Sequence, residues 1–238
     1  MELNFLGRGS AFNVLEGSNS SYIIEGNSML LIDCGETVYE RLNMYNLLEG
    51  IDNVYVLVTH THSDHIGSIG TLANYYFLSL NKKIHIILDY NSKIKDDIKT
   101  LLRIFGLEEH MYHLETPDFL DGKFKSFKKM RYQEITHCPQ LISYAIAFDT
   151  EKGEIFYTGD TNDISVLKSL LKRINEIDRI YIETTTSSLP VHLNVDLLAR
   201  TVPVELRKKV YCMHFNNDDC INRAKEYGFN IIKVSSNN

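Results

Sequence analysis

The chain has 238 residues, a length at which an α/β protein can form one domain, and we predict a single domain over residues 1–238. Its 31 acidic residues outnumber its 25 Lys and Arg residues, and the net charge of −6 shows no broad basic face for long nucleic acid. No apolar run approaches the ~18 residues of a membrane span, and the four cysteines form no CxxC pair, which argues against a disulfide framework or a thiolate zinc site. Free thiols and an N-terminus without a secretory leader predict a cytoplasmic protein that does not bind membranes.

Short strands and helices are predicted to alternate in the N-terminal half. Gly26-Asn27 separates two strand-like runs and predicts a hairpin turn. In chain order we predict strands over residues 3–6, 22–25 and 29–33, a helix over 38–48, a strand over 54–58, a helix over 66–80, a strand over 84–88 and a helix over 93–105.

The C-terminal half begins with strands and then alternates helix with strand. We predict strands over residues 131–136, 143–148 and 154–157, a helix over 164–175, a strand over 179–183, a helix over 195–201, a strand over 210–213, a helix over 218–227 and a strand over 231–234. Strand-rich meanders with helices in both halves suggest two packed sheets with helices outside. Periodicity alone gives the class α/β.

Four potential metal ligands stand within six residues directly after the buried strand 54–58: His60, His62, Asp64 and His65. Alternation along the chain places the first two on one side, and the turn into the next helix brings the other two toward the same cavity. Imidazole and carboxylate together suit zinc, manganese or iron better than calcium or magnesium. The segment therefore predicts a metal site.

These four residues match the HxHxDH signature in full, and the chain resembles the metallo-β-lactamase superfamily. The resemblance implies a four-layer αββα sandwich, an α/β (α+β) fold, with two divalent metal ions, zinc first and manganese as the alternative. Further ligands would be His137, Asp160 and His214, each at the end of a strand, while Asp33 would support the ligand loop. One ion would take His60, His62 and His137 and the other Asp64, His65 and His214, with Asp160 between them.

Within the superfamily, the segment after residue 179 resembles the ribonuclease Z-like phosphodiesterase branch. Glu183 ends a strand and His192 precedes the next helix, and in that branch such a pair assists the leaving oxygen. True β-lactamases carry Cys where Asp160 stands and Arg where His65 stands, and flavodiiron proteins carry an acid where His62 stands. These departures disfavour both readings.

His137 and Asp160 are only 23 positions apart, which leaves no room for the projecting arm with which tRNA-processing relatives grip their substrate. The compact chain most resembles the phage anti-Pycsar cyclic-nucleotide phosphodiesterases, which implies a homodimer that hydrolyses small cyclic nucleotides to nucleoside monophosphates and counters cyclic-nucleotide immune signalling. RNA is the less favoured substrate.

The resemblance also implies a mechanism. A water activated by the metals and oriented by Asp64 or Asp160 would attack phosphorus, and His192, held by Glu183, would protonate the departing sugar oxygen. Tyr75, Tyr112 and Phe215 are candidates for stacking on the base, whereas the side chains of Cys34 and Cys138 are expected to point away from the site. His85, His110 and His113 lie outside the ligand pattern.

Three other functions remain open from the sequence. A ribonuclease Z-like RNA 3′-end endonuclease would act on structured RNA with a steep salt dependence. An ester or lactone hydrolase of the same fold would not need the Glu183–His192 pair. A nucleotide-sequestering protein would bind its ligand and release it unchanged.

Overall fold

Two six-stranded sheets form the centre of the molecule in the computed structural model, which describes residues 1–235 and, of Ser92, only the backbone. The first sheet follows chain order, and its strands are β1 Asn4–Gly7, β2 Ser20–Glu25, β3 Ser28–Ile32, β4 Asn53–Leu57, β5 His85–Ile87 and β6 His113–Glu115. Strands β1 to β3 pair antiparallel, and β3 to β6 pair parallel.

The second sheet repeats this arrangement with the later strands. Its members are β7 Lys129–Ile135, β8 Ser143–Thr150, β9 Gly153–Tyr157, β10 Ile177–Glu183, β11 Val210–Met213 and β12 Asn230–Ile231. Strands β7 to β9 are antiparallel and β9 to β12 are parallel. The carboxyl ends of β9, β10 and β11 therefore lie at one edge.

Seven α-helices within residues 1–235 flank the sheets. They are α1 Val38–Met44, α2 Ser63–Ile66, α3 Ile69–Asn74, α4 Ser92–Ile104, α5 Ile164–Lys172, α6 Val195–Thr201 and α7 Asp218–Glu226. A π-helical turn, Tyr75–Ser79, continues α3, and 3-10 turns cover Glu109–Met111, Pro117–Leu120 and Val204–Lys209. None of the helices in this part of the chain is both long and apolar enough to cross a membrane.

Alternation along the central strands separates three apolar layers. In β4, Val54 and Val56 pack against the helices of the first half, whereas Tyr55 and Leu57 face the second sheet. The sequence of β4 is continuously apolar from Val54 onward because helices cover one face of the strand and the second sheet covers the other. A third apolar layer lies between the second sheet and helices α5 to α7. The predicted four-layer αββα sandwich is confirmed.

Two sequence-based element predictions were wrong. The helix predicted over residues 66–80 is broken at Gly67 and Ser68, because the Ser68 hydroxyl donates to the Gly35 carbonyl at 2.5 Å and accepts from the Tyr39 amide at 3.1 Å. Strand β6 was missed. It has three residues at the edge of the sheet, too short for an alternation pattern to show.

Gly35 follows β3 and lies against the backbone of Asp64, within the segment 60–65 that carries four predicted ligands. A methyl group at this position would overlap the Asp64 carbonyl, which is backbone and cannot rotate away. Gly35→Ala should therefore destabilise the fold by about 3 kcal/mol, a Tm decrease of roughly 6–12 °C for a chain of this size, and displace Asp64. Thermal unfolding measures the first effect, and the content of bound divalent metal measures the second. Gly26→Asn, at an open turn with positive φ, is the control and should change neither; an unchanged Gly35→Ala variant would contradict the packing argument.

Candidate metal centre

Strand ends bring the predicted site residues to one edge of the sandwich. His60 follows β4, Asp160 follows β9, Glu183 ends β10 and His214 follows β11. His137 reaches the same place from the end of β7. All seven residues predicted as metal ligands enter two groups of side chains that could each hold an ion, and Asp160 belongs to both.

The first group contains His60, His62, His137 and Asp160, whose ligand atoms all lie within 4.8 Å of one another. His62 Nδ1 is 2.9 Å from His60 Nε2 and 3.3 Å from His137 Nε2. Asp160 Oδ2 lies 4.0 Å from His60 Nε2 and 3.9 Å from His137 Nε2. Four ligands of a tetrahedral zinc ion lie roughly 3.3 Å apart, given bonds of about 2.0–2.1 Å. The group has the size of a zinc site.

The second group contains Asp64, His65, Asp160 and His214 and is buried throughout. His214 Nε2 lies 3.3 Å from Asp64 Oδ2 and 3.4 Å from Asp160 Oδ2. His65 Nε2 lies 3.5 Å from Asp64 Oδ2 and 3.4 Å from Asp160 Oδ1. These separations also match the edges of a zinc tetrahedron.

Two orphaned polar atoms show that this cavity suits a cation. His65 Nε2 and Asp160 Oδ1 are buried without a hydrogen-bond partner. Such atoms are costly unless something satisfies them. Imidazole nitrogens and carboxylate oxygens together are ligands for zinc and related divalent ions. The residues present therefore fit divalent metal ions.

Hydrogen bonds behind the centre orient the histidine rings. Asp33 Oδ2 accepts from His65 Nδ1 at 2.7 Å and from the Thr59 hydroxyl at 2.8 Å. The same hydroxyl lies 3.1 Å from His60 Nδ1. In both rings the outer nitrogen is thus engaged, which leaves Nε2 facing the cavity.

Asp33 and His214 have positive φ values of 63° and 58°, a conformation that is uncommon outside glycine, although aspartate, asparagine and histidine adopt it more often than other residues. Each costs of the order of 1 kcal/mol or more and persists where the surrounding structure holds it. Both residues stand where a strand ends at the centre. The surrounding structure therefore holds both side chains in place at the centre.

The charged groups in the cavity shift one another's pKa values. Burial raises the pKa of Asp160, but the neighbouring His214 and His65 outweigh it and hold that pKa well below its usual range. Burial lowers the pKa of His214, yet Asp160 and Asp64 raise it overall to about 10. The pKa of His65 is likewise raised by Asp160 and Asp64 against the effect of burial. Protons on these rings balance the carboxylates, and a bound cation would take their place.

Asp33→Asn should lower the affinity for divalent metal by about 10–100-fold. The carboxylate accepts from His65 Nδ1 and from the amide and hydroxyl of Thr59, whereas an amide keeps one acceptor oxygen for these donors and has no charge to hold the His65 ring. Competition with a chromophoric chelator measures the affinity. Glu36→Gln, three positions along the chain and exposed, is the matched control. Equal affinities in the two variants would show that Asp33 has no role in holding the ring.

A second pair of side chains lies beside the metal groups. His192 Nδ1 donates to Glu183 Oε2 at 2.7 Å, and Glu183 is fully buried with its other oxygen accepting from the Thr161 amide. Burial lowers the pKa of His192, but the hydrogen bond and charge of Glu183 outweigh it and raise the pKa. The His192 ring centroid is 5.1 Å from that of His137. The structure thus places the predicted acid pair at the centre.

Several sequence-based expectations about the surroundings were wrong. The Cys138 thiol does not point away from the site, since its sulfur lies 3.8 Å from His62 Nε2. Tyr112 and Phe215 are buried among other apolar residues and cannot stack on a base. Tyr75 is half-buried and packs edge-on against Tyr39 at 5.9 Å, and its role as a base contact stays a prediction.

Other expectations agree with the structure, and one contact was missed. Cys34 lies away from the centre beside Ser68, and burial raises the pKa of its thiol to about 12. Among the described residues, His85, His110 and His113 enter none of the potential ligand groups. His137 Nδ1 donates to the Val191 carbonyl at 2.8 Å, a backbone contact that no sequence signal could reveal.

The sandwich and the His/Asp groups define the class: a metallo-β-lactamase-fold protein with a site suited to divalent metal ions. A family model described as "Anti-Pycsar protein Apyc1" matches residues 1–234, and the chain belongs to this family. The Apyc1 protein of Bacillus phage BSP38 is 26% identical over 235 residues, covering 91% of this chain and 90% of its own. That of Saccharibacillus brassicae is 27% identical, with 96% of each chain covered.

Solved structures share the fold at low sequence identity. The metallo-beta-lactamase fold protein YhfI from Bacillus subtilis is 19% identical with a TM-score of 0.69, covering 98% of this chain and 95% of its own. A diphosphatase from the PhnP family is 17% identical with a TM-score of 0.73, at the same coverage. The short form of human tRNase Z is 18% identical with a TM-score of 0.68, covering 99% and 97%. The resemblance drawn from the HxHxDH segment is confirmed.

Proposed function

We propose that this protein is a dinuclear metal-dependent phosphodiesterase that hydrolyses small cyclic nucleotides to nucleoside monophosphates. The observation that carries the proposal is the His192–Glu183 pair, joined at 2.7 Å, beside two ligand groups that share Asp160. Zinc is the expected metal, with manganese as the alternative, because the donors are imidazoles and carboxylates.

Membership in the anti-Pycsar family supports the choice of substrate. The relatives are named for acting against Pycsar, and the resemblance seen in the sequence links such proteins to cyclic nucleotides. The stretch from His137 to Asp160 holds β8, β9 and their connections, which leaves no projecting arm to grip a folded RNA. A small phosphodiester therefore suits this site better than tRNA, and the role we propose is a countermeasure to cyclic-nucleotide immune signalling.

The metal ions and the carboxylates have separate roles in the proposed reaction. Divalent ions, when bound, supply an acidified water and Lewis acidity for the charge that develops on the phosphoryl oxygens. Burial raises the pKa values of Asp64 and Asp160, but the neighbouring His65 and His214 outweigh it and hold both below their usual range. Either carboxylate can accept a hydrogen from the attacking water and orient it toward phosphorus. A bond from the water oxygen to phosphorus forms as the bond from phosphorus to the sugar oxygen breaks.

His192 protonates the departing sugar oxygen in this proposal. Its Nδ1 hydrogen is held by Glu183, so Nε2 is the nitrogen free to donate to the substrate. The side chain of His192 is 21% exposed, whereas His60, His65 and Glu183 are fully buried. The substrate can therefore reach His192 from solvent.

A substrate panel tests the function. The full chain, loaded with zinc or with manganese, is incubated separately with cyclic mononucleotides, cyclic dinucleotides, bis(p-nitrophenyl) phosphate, a carboxylic ester and a precursor tRNA. Chromatography should show nucleoside monophosphate from the cyclic nucleotides. Cleavage of the tRNA alone would support the RNA 3′-end endonuclease, and ester cleavage alone an ester or lactone hydrolase. A nucleotide that is bound and recovered unchanged would support sequestration.

We further propose a single domain over residues 1–238, because the central apolar layer takes side chains from both sheets and neither sheet can bury its inner face alone.

A homodimer is also expected. Three apolar side chains in the loop after β1 support it: Phe12, Val14 and Leu15 are 95%, 70% and 94% exposed. Light scattering should show a dimer, and Phe12→Ser with Leu15→Ser should shift it toward the monomer. A monomeric wild-type chain at micromolar concentration would contradict the proposal.

A further inference from the structure

We infer that the acid pair and two of the ligands form a third, weaker site for a divalent cation, and that zinc bound there inhibits the enzyme. Asp160, Glu183, His192 and His214 form a third group whose ligand atoms all lie within 4.8 Å of one another. Two of its members, Glu183 and His192, belong to neither of the other groups. This inference rests on the proposed function, in which His192 acts as an acid.

Three separations between ligand atoms of this group lie close to those of a zinc site. His192 Nδ1 lies 2.7 Å from Glu183 Oε2 and 3.8 Å from Asp160 Oδ2. His214 Nδ1 lies 3.5 Å from Glu183 Oε2. Ligand atoms around a tetrahedral zinc ion are roughly 3.3 Å apart, so only the hydrogen-bonded pair must open, by about half an ångström.

The third site should bind an ion more weakly than the other two, because it shares two of its ligands with the second group. Asp160 and His214 already belong to the second group, so an ion beside Glu183 has Glu183 and His192 as its own ligands and competes for the rest. A third cation would also be repelled by ions only a few ångströms away. It should fill only when zinc exceeds the amount that the two proposed catalytic groups hold.

Occupation of this site weakens the acid. An ion on His192 Nδ1 takes the place of the hydrogen that Glu183 accepts, because a nitrogen that binds a metal carries no proton. The ring then keeps its Nε2 hydrogen only as a neutral imidazole, which is a weaker acid than the imidazolium that protonates a leaving group. General acids contribute about 10²–10⁴-fold to such reactions, so full occupancy should lower turnover by up to about 10²-fold.

Zinc titration of the full chain tests the inference. Free zinc is set with metal buffers, bound zinc is counted after equilibrium dialysis, and hydrolysis is followed in parallel. The wild type should fill two tight sites and then a weaker one, with turnover falling as the weaker one fills and recovering when a mild chelator removes that ion. His192→Ala should keep both tight ions, which shows that it is folded, and lose the weaker ion.

A matched control separates a built site from adventitious binding. His110 Nδ1 lies 3.2 Å from Glu108 Oε2, but both side chains are exposed, at 61% and 79%. His110→Ala should leave the weaker ion and the inhibition unchanged. Loss of the weaker ion in this variant, or its retention in His192→Ala, would overturn the inference. A wild type that fails to bind two tight ions would instead count against the proposed function.

Discussion

His192→Ala should lower kcat for a cyclic nucleotide by about 10²–10⁴-fold while leaving the content of tightly bound zinc unchanged. A sugar oxygen leaves poorly without a proton, and His192 is the partly exposed histidine that a buried carboxylate, Glu183, holds at 2.7 Å. Steady-state kinetics and elemental analysis on the same preparation measure the two quantities. His113→Ala, an exposed histidine on β6, is the matched control and should behave as wild type.

Leaving-group dependence separates an acid from a structural residue. Bis(p-nitrophenyl) phosphate releases a weakly basic phenolate that needs little protonation, so His192→Ala should lose much less activity on this substrate than on a cyclic nucleotide. Equal losses on both substrates would mean that His192 positions the phosphate or the fold rather than donating a proton. Full activity on both would remove it from the mechanism.

The sandwich could be predicted because the apolar positions of each strand show which of its faces are buried. Strand β4 reads as an unbroken apolar run since both of its faces are covered, and β11 begins and ends at the predicted residues. The break after α2 could not be predicted, because Ser68 ends the helix through contacts with Gly35 and Tyr39, which lie about thirty positions earlier. Helical spacing continues across the break, as α3 packs on the same apolar layer.

The site residues could be predicted from the sequence alone only where they lie close together along the chain. His60 to His65 form a compact motif, and the remaining ligands could be placed only by matching the order of a known pattern. The side-chain direction of Cys138 was predicted from strand alternation, but strand β7 ends at Ile135, so the alternation no longer applied. Aromatic residues offered no such pattern, and burial removed Tyr112 and Phe215 as base contacts.

Asp160→Asn should have the widest effect, since Asp160 is the residue common to both proposed metal groups. An amide has no charge to balance two cations. Its NH₂ group cannot bind a metal ion, so only one oxygen would remain as a ligand. Both ions should bind more weakly, and hydrolysis should fall below detection. Asp163→Asn, three positions along, is the matched control, because asparagine caps helix α5 as well as aspartate does.

Thermal unfolding gives a readout of the Asp160 substitution that does not depend on activity. Zinc at 1,000 times its Kd stabilises the folded state by about 4 kcal/mol for each ion bound, which raises Tm by roughly 8–16 °C per ion in a chain of this size. The wild type and Asp163→Asn should show this rise when zinc is added to the chelated protein, and Asp160→Asn should show little of it. An equal rise in Asp160→Asn would mean that zinc binds without Asp160, and the shared carboxylate would then have no place in the mechanism.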